Sequence, residues 1–231
     1  MSEESRAPGF VIAATGLRAE ARIVARSPSV QVVVGGGEAE RLDRLIRQAI
    51  AEGGNAIISF GLAAGLAPGL PAGTCLIGRE VVHDGTRHSA DPAWASRLKA
   101  AVAFAESATI AGVDRPLSKP LEKQALHVES TAAAADMESH IVARVATEHR
   151  LPFAVLRVIA DPAERPIPLA ALAGMRPDGG IDVLAVLASL AGTPSQLPAL
   201  IRLAADTRRA MAALLRCHNL LGPGFGFRDL G

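Results

Sequence analysis

A chain of 231 residues that is 49% apolar can bury one sizeable core unaided, and its length suits one large domain better than two small ones. Lys and Arg total 24 against 23 Asp and Glu, and aromatics are 3% with no Tyr; the basic excess and stacking platforms of a nucleic-acid binder are both absent. Cys75 and Cys217, the only two cysteines, make neither a disulfide framework nor a CxxC ligand pair, so they are expected as reduced thiols with at least one buried.

Residues 1–9 are polar and acidic, unlike a signal peptide, and read as a disordered or extended N-terminus. The domain is expected over residues 10–221. Short apolar runs at 10–14, 30–34, 55–59, 74–82, 107–110 and 153–159 read as buried strands. Leu42, Leu45, Ile46 and Ile50 share one face of a helix that starts near Glu38, with Arg41, Asp43, Arg44 and Arg47 off that face. Met137, Ile141, Val142 and Val145 do the same for a helix over 136–148. Residues 162–180 show no periodicity and read as a lid or binding loop. A long helix follows over 196–216, with Leu197, Leu200, Ile201, Ala204, Met211, Leu214 and Leu215 inward. Residues 222–231 read as an irregular tail. No apolar run approaches the roughly 18 residues of a membrane span, so a cytoplasmic protein is expected. Strands alternating with helices predict a single-domain α/β fold with a mainly parallel, mixed central sheet flanked by helices.

Four segments place polar groups where a parallel sheet binds ligands, just past its strand ends. Arg157-Val-Ile-Ala160-Asp161-Pro-Ala-Glu164 ends a buried strand on a carboxylate; alone, Asp161 reads equally as an Asx-turn before Pro162. In Asp136-Met137-Glu138-Ser139 a run of small residues passes into a helix, and the two acids also suit an N-cap and a first-turn anion. Thr15-Gly16-Leu17-Arg18-Ala19-Glu20 follows the first strand; alone, it reads equally as a loop and then a helix that begins with a solvated charge pair. Phe60-Gly61-Leu62-Ala63-Ala64-Gly65-Leu66 follows the third and lacks the Gly-Lys-Ser/Thr of a Walker loop. Gly35-Gly36-Gly37 lacks dinucleotide spacing and reads as a tight turn, which counts against a dinucleotide-dependent oxidoreductase. Six histidines (83, 88, 127, 140, 149 and 218) show no metal-ligand spacing, so neither metal nor cofactor is expected. Arg115, Lys119 and Lys123 read as a solvated basic face.

Taken together and in this order, the segments resemble the nucleoside phosphorylase/nucleosidase superfamily that includes methylthioadenosine/S-adenosylhomocysteine nucleosidases. Asp136-Met-Glu-Ser-His140, residues 156–164 and Gln196-Leu-Pro-Ala-Leu-Ile-Arg-Leu-Ala204 resemble its hopanoid-associated phosphorylase branch. The resemblance implies cleavage of the N-glycosidic bond of an adenine nucleoside bearing a 5′ substituent, here adenosine carrying a hopane lipid. It implies Asp161 as the acid that protonates the purine, Glu20 as the base that activates water, and Glu138 with Met137 at the ribose. Gly16, Gly61, Leu62, Ala63 and Ala160 are implied near base or nucleophile. A homodimer or higher homo-oligomer follows from the same resemblance, as does a peripheral membrane position when the substrate is a lipid.

Two departures bear on the nucleophile. The family's loop Ser is Leu62 here, and the Ser before the acid is Ala160. A phosphate site is thereby weakened, and Glu20 would repel phosphate while suiting water. Hydrolysis is therefore expected over phosphorolysis. A nucleoside-binding protein without turnover would need Glu138 but neither Asp161 nor Glu20.

Overall fold

The structure, a computed structural model, describes residues 9–27, 29–174, 176 and 178–227. Residues 1–8 and 228–231, which include most of the expected N-terminal extension and part of the tail, lie outside them. In chain order the elements are β1 (Phe10–Thr15), α1 (Arg18–Val24), β2 (Val30–Val34), α2 (Ala39–Ala51), β3 (Gly54–Gly65), β4 (Cys75–His83), β5 (Thr86–Ser89) and α3 (Pro92–Ala101). They continue with β6 (Glu106–Gly112), α4 (Pro120–Ser130), β7 (Ala134–Asp136), α5 (Ser139–His149), β8 (Phe153–Asp161), α6 (Leu169–Ala173), α7 (Val183–Gly192) and α8 (Leu197–Leu221).

The strands form one mixed, mainly parallel sheet, as the alternation of strand and helix predicts. β1 lies between β2 and β3, parallel to both. β3 continues to β8 in parallel, β8 to β4 antiparallel, and β4 to β6 and β6 to β7 in parallel. β7 then returns to β3 in antiparallel sense, so five strands close a ring, and β5 hangs from β4 as a hairpin. Closure explains why β8, FAVLRVIAD, is buried along its whole length and shows no polar alternation.

Side chains alternate between two core layers, as the two-residue strand period requires. Val11, Ala13, Ile58, Phe60, Leu156 and Val158 pack on one face with Trp94, Leu98, Leu214 and Cys217. Ile12, Ala14, Ile57, Val155 and Ile159 pack on the other with Leu42, Ile46, Ile141, Val142 and Val145. Each fully buried aliphatic of this kind contributes about 1.5–3 kcal/mol. Both cysteines are free and buried, with their sulfurs 3.1 Å apart.

The sequence expectation lacks α3, α4, α7 and β5, and it places three further elements differently. β3 runs on through Gly61 to Gly65 because β8 and β7 keep pairing with it there, so the 60–66 segment is strand rather than loop. Asp161 is likewise the last residue of β8 rather than a residue beyond it. Residues 134–136 are strand, and α5 begins only at Ser139 with Glu138 as its N-cap residue. Asp136 still serves the helix start, since its Oδ1 accepts from the Glu138 and Ser139 amides at 2.9 and 2.6 Å. The 162–180 segment contains the short helix α6. Among the described residues, no single helix is long and apolar enough to cross a membrane.

Candidate active site

The far ends of β1, β3, β7 and β8 meet at one edge of the ring, where Ala64 pairs with both Ala135 and Asp161. Glu20 reaches this edge from the first turn of α1. Its Oε2 accepts from the amides of Gly16 and Leu17 at 2.9 and 2.8 Å, and its Oε1 accepts from the Leu62 amide at 2.8 Å. The carboxylate thus ties the loop after β1 to the middle of β3. It is buried, and burial pushes its carboxyl above the usual range, while Arg157 and the three amides hold it down.

Arg157 anchors this corner, and the sequence reading gave it no role. It points off β8 with no exposed surface, its Nη2 donating to Ser59 Oγ at 2.5 Å and its Nη1 to the Leu62 carbonyl at 3.1 Å. Its Nη2 lies 3.2 Å from Glu138 Oε2, and its Nε lies 3.0 Å from Asp136 Oδ2 in ion-pair contact rather than aligned hydrogen bonding. Ser139 Oγ bridges Asp136 Oδ2 at 2.6 Å and Ser59 Oγ at 3.0 Å. One guanidinium therefore faces Glu20, Asp136 and Glu138, an excess of negative charge. Burial pushes Glu138 up to about 7; Arg157 opposes the shift, and the charges of Asp136 and Glu20 add to it.

Two glycines make this packing possible for steric reasons. A Cβ on Gly16 would stand 2.6 Å from Glu138 Oε1, and one on Gly61 would stand 2.8 Å from both Arg157 Nη1 and Glu20 Oε1.

Asp161 is held by a second cation. Lys123 comes in from α4 with no exposed surface, and its Nζ lies 2.6 Å from Asp161 Oδ2. The ammonium also donates to the carbonyls of Pro162 and Arg165, at 2.9 and 3.1 Å. Lys123 is thus not part of a solvated face; α4 turns it inward, and only Arg115 and Lys119 of that stretch stay out. Burial pushes the Asp161 carboxyl up to about 6, with Lys123 pulling it down and Asp206 pushing it up.

Glu20, Glu138 and Asp161 line a single open cavity of about 660 Å³, together with Gly16, Leu62, Ala63, Met137 and Ala160. Gly61 does not line it; it lies behind, against Glu20 and Arg157. Gly36 and Gly37, both with positive φ in the turn after β2, also face the cavity. Away from the carboxylates the wall is apolar, built from Ile167, Ile181, Val183, Val186, Leu200 and Leu203. Gly179 ties this arm to the start of α1 beside Glu20, its carbonyl accepting from the Arg18 amide at 3.0 Å.

The sequence profile of the phosphorylase superfamily matches residues 23–173, about two thirds of the chain and most of the sheet. The chain belongs to the phosphorylase superfamily. Solved structures share its fold over two thirds to nine tenths of the chain. The 5′-methylthioadenosine/S-adenosylhomocysteine nucleosidase of Helicobacter pylori, solved with butyl-thio-DADMe-Immucillin-A, matches with TM-score 0.66 and 15% identity, covering 92% of this chain and 98% of that one. The corresponding nucleosidase of Neisseria meningitidis, with methylthio-immucillin-A, matches at TM-score 0.62 and 16% identity over 90% and 97%. Futalosine hydrolase of Helicobacter pylori matches at 0.59 and 18% over 68% and 86%. No curated protein matches this chain by sequence. Membership meets the expectation of an enzyme of the nucleosidase and nucleoside phosphorylase class.

Proposed function

We propose that this superfamily member hydrolyses the N-glycosidic bond of an adenine nucleoside carrying a bulky apolar 5′ substituent. The observation that carries the reading is the meeting of Glu20, Glu138 and Asp161 in one cavity whose remaining wall is mainly apolar, Arg176, Thr207 and Arg208 apart. Breaking the C1′–N9 bond leaves positive charge on the ribose and negative charge on the base. Asp161, protonated below about pH 6, donates its proton to N7 of the departing purine. Glu138 takes the 2′ and 3′ hydroxyls, and its charge favours an oxocarbenium-like transition state. Glu20 accepts a proton from water as the oxygen bonds to C1′. Atoms and charge balance: adenine leaves neutral, and a ribose hydroxyl forms.

Water is favoured over phosphate by the cations at hand. Arg157 has its guanidinium committed to Asp136, Glu138, Ser59 and the Leu62 carbonyl. The lining arginines, Arg176 and Arg208, belong to the outer segments along with the apolar wall. The residues nearest the reacting bond are acidic and would repel a phosphate dianion.

The apolar arm supports a lipid at the 5′ carbon, and a hopane skeleton is the substituent we infer. α7 has no buried residue, and no Asp, Glu, Lys or Arg stands between residues 183 and 201. Such a helix beside the cavity suits a protein that takes its substrate from a membrane surface. A homodimer is supported by Leu121 and Val128, which stand exposed seven residues apart on α4.

The test is chromatographic detection of free adenine from 5′-alkyl adenosines, with and without phosphate. Release without phosphate is expected, and Asp161→Asn is expected to lower kcat by about 100- to 10,000-fold. Strict dependence on phosphate would make the enzyme a phosphorylase. Near wild-type turnover by Asp161→Asn would remove Asp161 from the chemistry.

A further inference from the structure

Three ligand-capable side chains, remote in sequence, meet on another flank of the sheet. His83 ends β4, Asp114 follows β6, and His140 lies in the first turn of α5. The register brings them together. Val82 pairs with Ala111 across β4 and β6, and Gly112 pairs with Asp136 across β6 and β7, so these strand ends open at one place. The imidazoles of His83 and His140 stack with centroids 4.2 Å apart and 25° between planes. His140 Nε2 lies 3.2 Å from Asp114 Oδ1, and one ligand atom from each of the three residues falls within 4.8 Å of the others.

The surroundings prepare the rings. His83 Nδ1 lies 3.0 Å from the Gly112 carbonyl oxygen. A carbonyl only accepts, so Nδ1 carries a proton and Nε2 is the nitrogen turned toward a metal, the arrangement that orients a metal-binding histidine. Asp84 Oδ2 stands 3.6 Å from that Nε2 and offers a further oxygen. Gly112 admits the second ring, since a Cβ there would fall 2.2 Å from His140 Cβ. His140 is only 7% exposed, yet its Nδ1 has no hydrogen-bond partner among the described residues. Buried polar atoms ordinarily have one. Two stacked imidazoles with a carboxylate at their edge suit a shared cation better than they suit each other.

We propose that His83, Asp114 and His140 bind a divalent transition-metal ion of the zinc, cobalt or nickel type. Two imidazoles and one carboxylate are a donor set such ions favour, whereas Ca²⁺ and Mg²⁺ seek oxygen alone. Donors about 2.0–2.2 Å from zinc lie closer together than these three, so the site must tighten by roughly 1 Å. Asp114 is exposed and His83 half-buried, which leaves both free to close. The ion has a structural consequence for the cavity. Val113, Pro116 and Leu117 of the Asp114 loop line it, and His140 stands two residues past Glu138. Metal would pin that wall to the start of α5 without touching the bond that breaks.

The untagged full-length chain, stripped with chelator, is titrated with Zn²⁺ by calorimetry and with Co²⁺ by visible absorption. One equivalent is expected, with the d–d bands of nitrogen-ligated Co²⁺ and a Tm rise of roughly 5–10 °C at a hundredfold excess over Kd. Asp114→Ala and His83→Ala, both away from the packed core, are expected to weaken binding at least tenfold, whereas His88→Ala keeps wild-type affinity. No saturable uptake, or uptake unchanged in Asp114→Ala and His83→Ala, overturns the site. Adenine release plays no part in these readouts, so the proposed reaction can fail without affecting them.

Discussion

Lys123 sets the working range of Asp161. Burial pushes the acid up and a lysine 2.6 Å away draws it down, the balance leaving it at about 6. A general acid acts in its protonated form and Glu138 in its charged one. With values of about 6 and about 7, kcat/KM should pass through a maximum between them and fall about tenfold per pH unit beyond either side, the alkaline limb moving with Asp161. Lys123→Met removes the opposing charge and therefore moves that limb to higher pH. The substitution also leaves the carbonyls of Pro162 and Arg165 short of a donor, at a cost of about 1–3 kcal/mol each, so folding is checked by circular dichroism. A wild-type profile flat from pH 5 to 8, or an alkaline limb unmoved in the variant, would contradict the pairing of these two residues as a tuned acid.

At the scale of elements, α6, α7 and the start of α8 form the apolar arm beside the cavity. Gly174 lets α6 and α7 approach, since a Cβ there would meet Val186 Cγ2 at 2.3 Å, and Asp182 caps α7 through the Ala185 amide at 3.0 Å. Val186 and Val183 face the cavity, while Leu184 and Leu187 face outward at 78% and 54% exposure. If α7 rests on a lipid surface, Leu184→Glu with Leu187→Glu should cut co-sedimentation with vesicles at least tenfold. Turnover of a short-chain, soluble 5′-alkyl adenosine should stay within about twofold, because neither side chain lines the cavity. Equal loss of both would mean the helix only closes the site, and equal retention would remove the membrane role. The sequence showed this region poorly for a physical reason. α7 is apolar on every side, so it has no amphipathic period to find, and 162–180 is punctuated by proline and glycine. α3 and α4 carry a different signal: each starts on a proline, after Asp91 and Lys119, but neither has an apolar face marked enough to stand out beside the strand runs. The strands β1, β2, β3, β4, β6 and β8 were legible as short apolar runs, whereas β5, TRHS, and β7, AAD, are too short to make one. Of the site, the acids were readable at the strand ends, but their cations were not. Arg157 inside FAVLRVIAD was a visible sign, since a charge in a buried strand requires partners. Lys123 gave none, because nothing in PLEKQALHVES separates an inward lysine from a solvated one.

For the whole molecule, the end of the described chain bears on stability rather than on the site. α8 crosses the sheet against β8, and the turn after it carries Phe225 into the core with no exposed surface. The Phe225 ring meets Phe60 edge-on at 5.0 Å and His218 at 5.5 Å, and its carbonyl accepts from Trp94 Nε1 at 2.8 Å. Arg97 adds a hydrogen bond to the Gly226 carbonyl at 2.8 Å. The tail therefore fastens α3 and α8 to the face of the sheet that packs Phe60. Phe225→Ala opens a cavity there and should destabilise the protein by about 3–5 kcal/mol, with kcat/KM unchanged at temperatures where the variant is folded. Trp94 is the only tryptophan, and the chain has no tyrosine, so its fluorescence reports this packing directly. Urea unfolding followed at Trp94 should show a lower midpoint with an unchanged slope. An unfolding free energy within about 0.5 kcal/mol of wild type would mean that the tail rests on the core without supporting it.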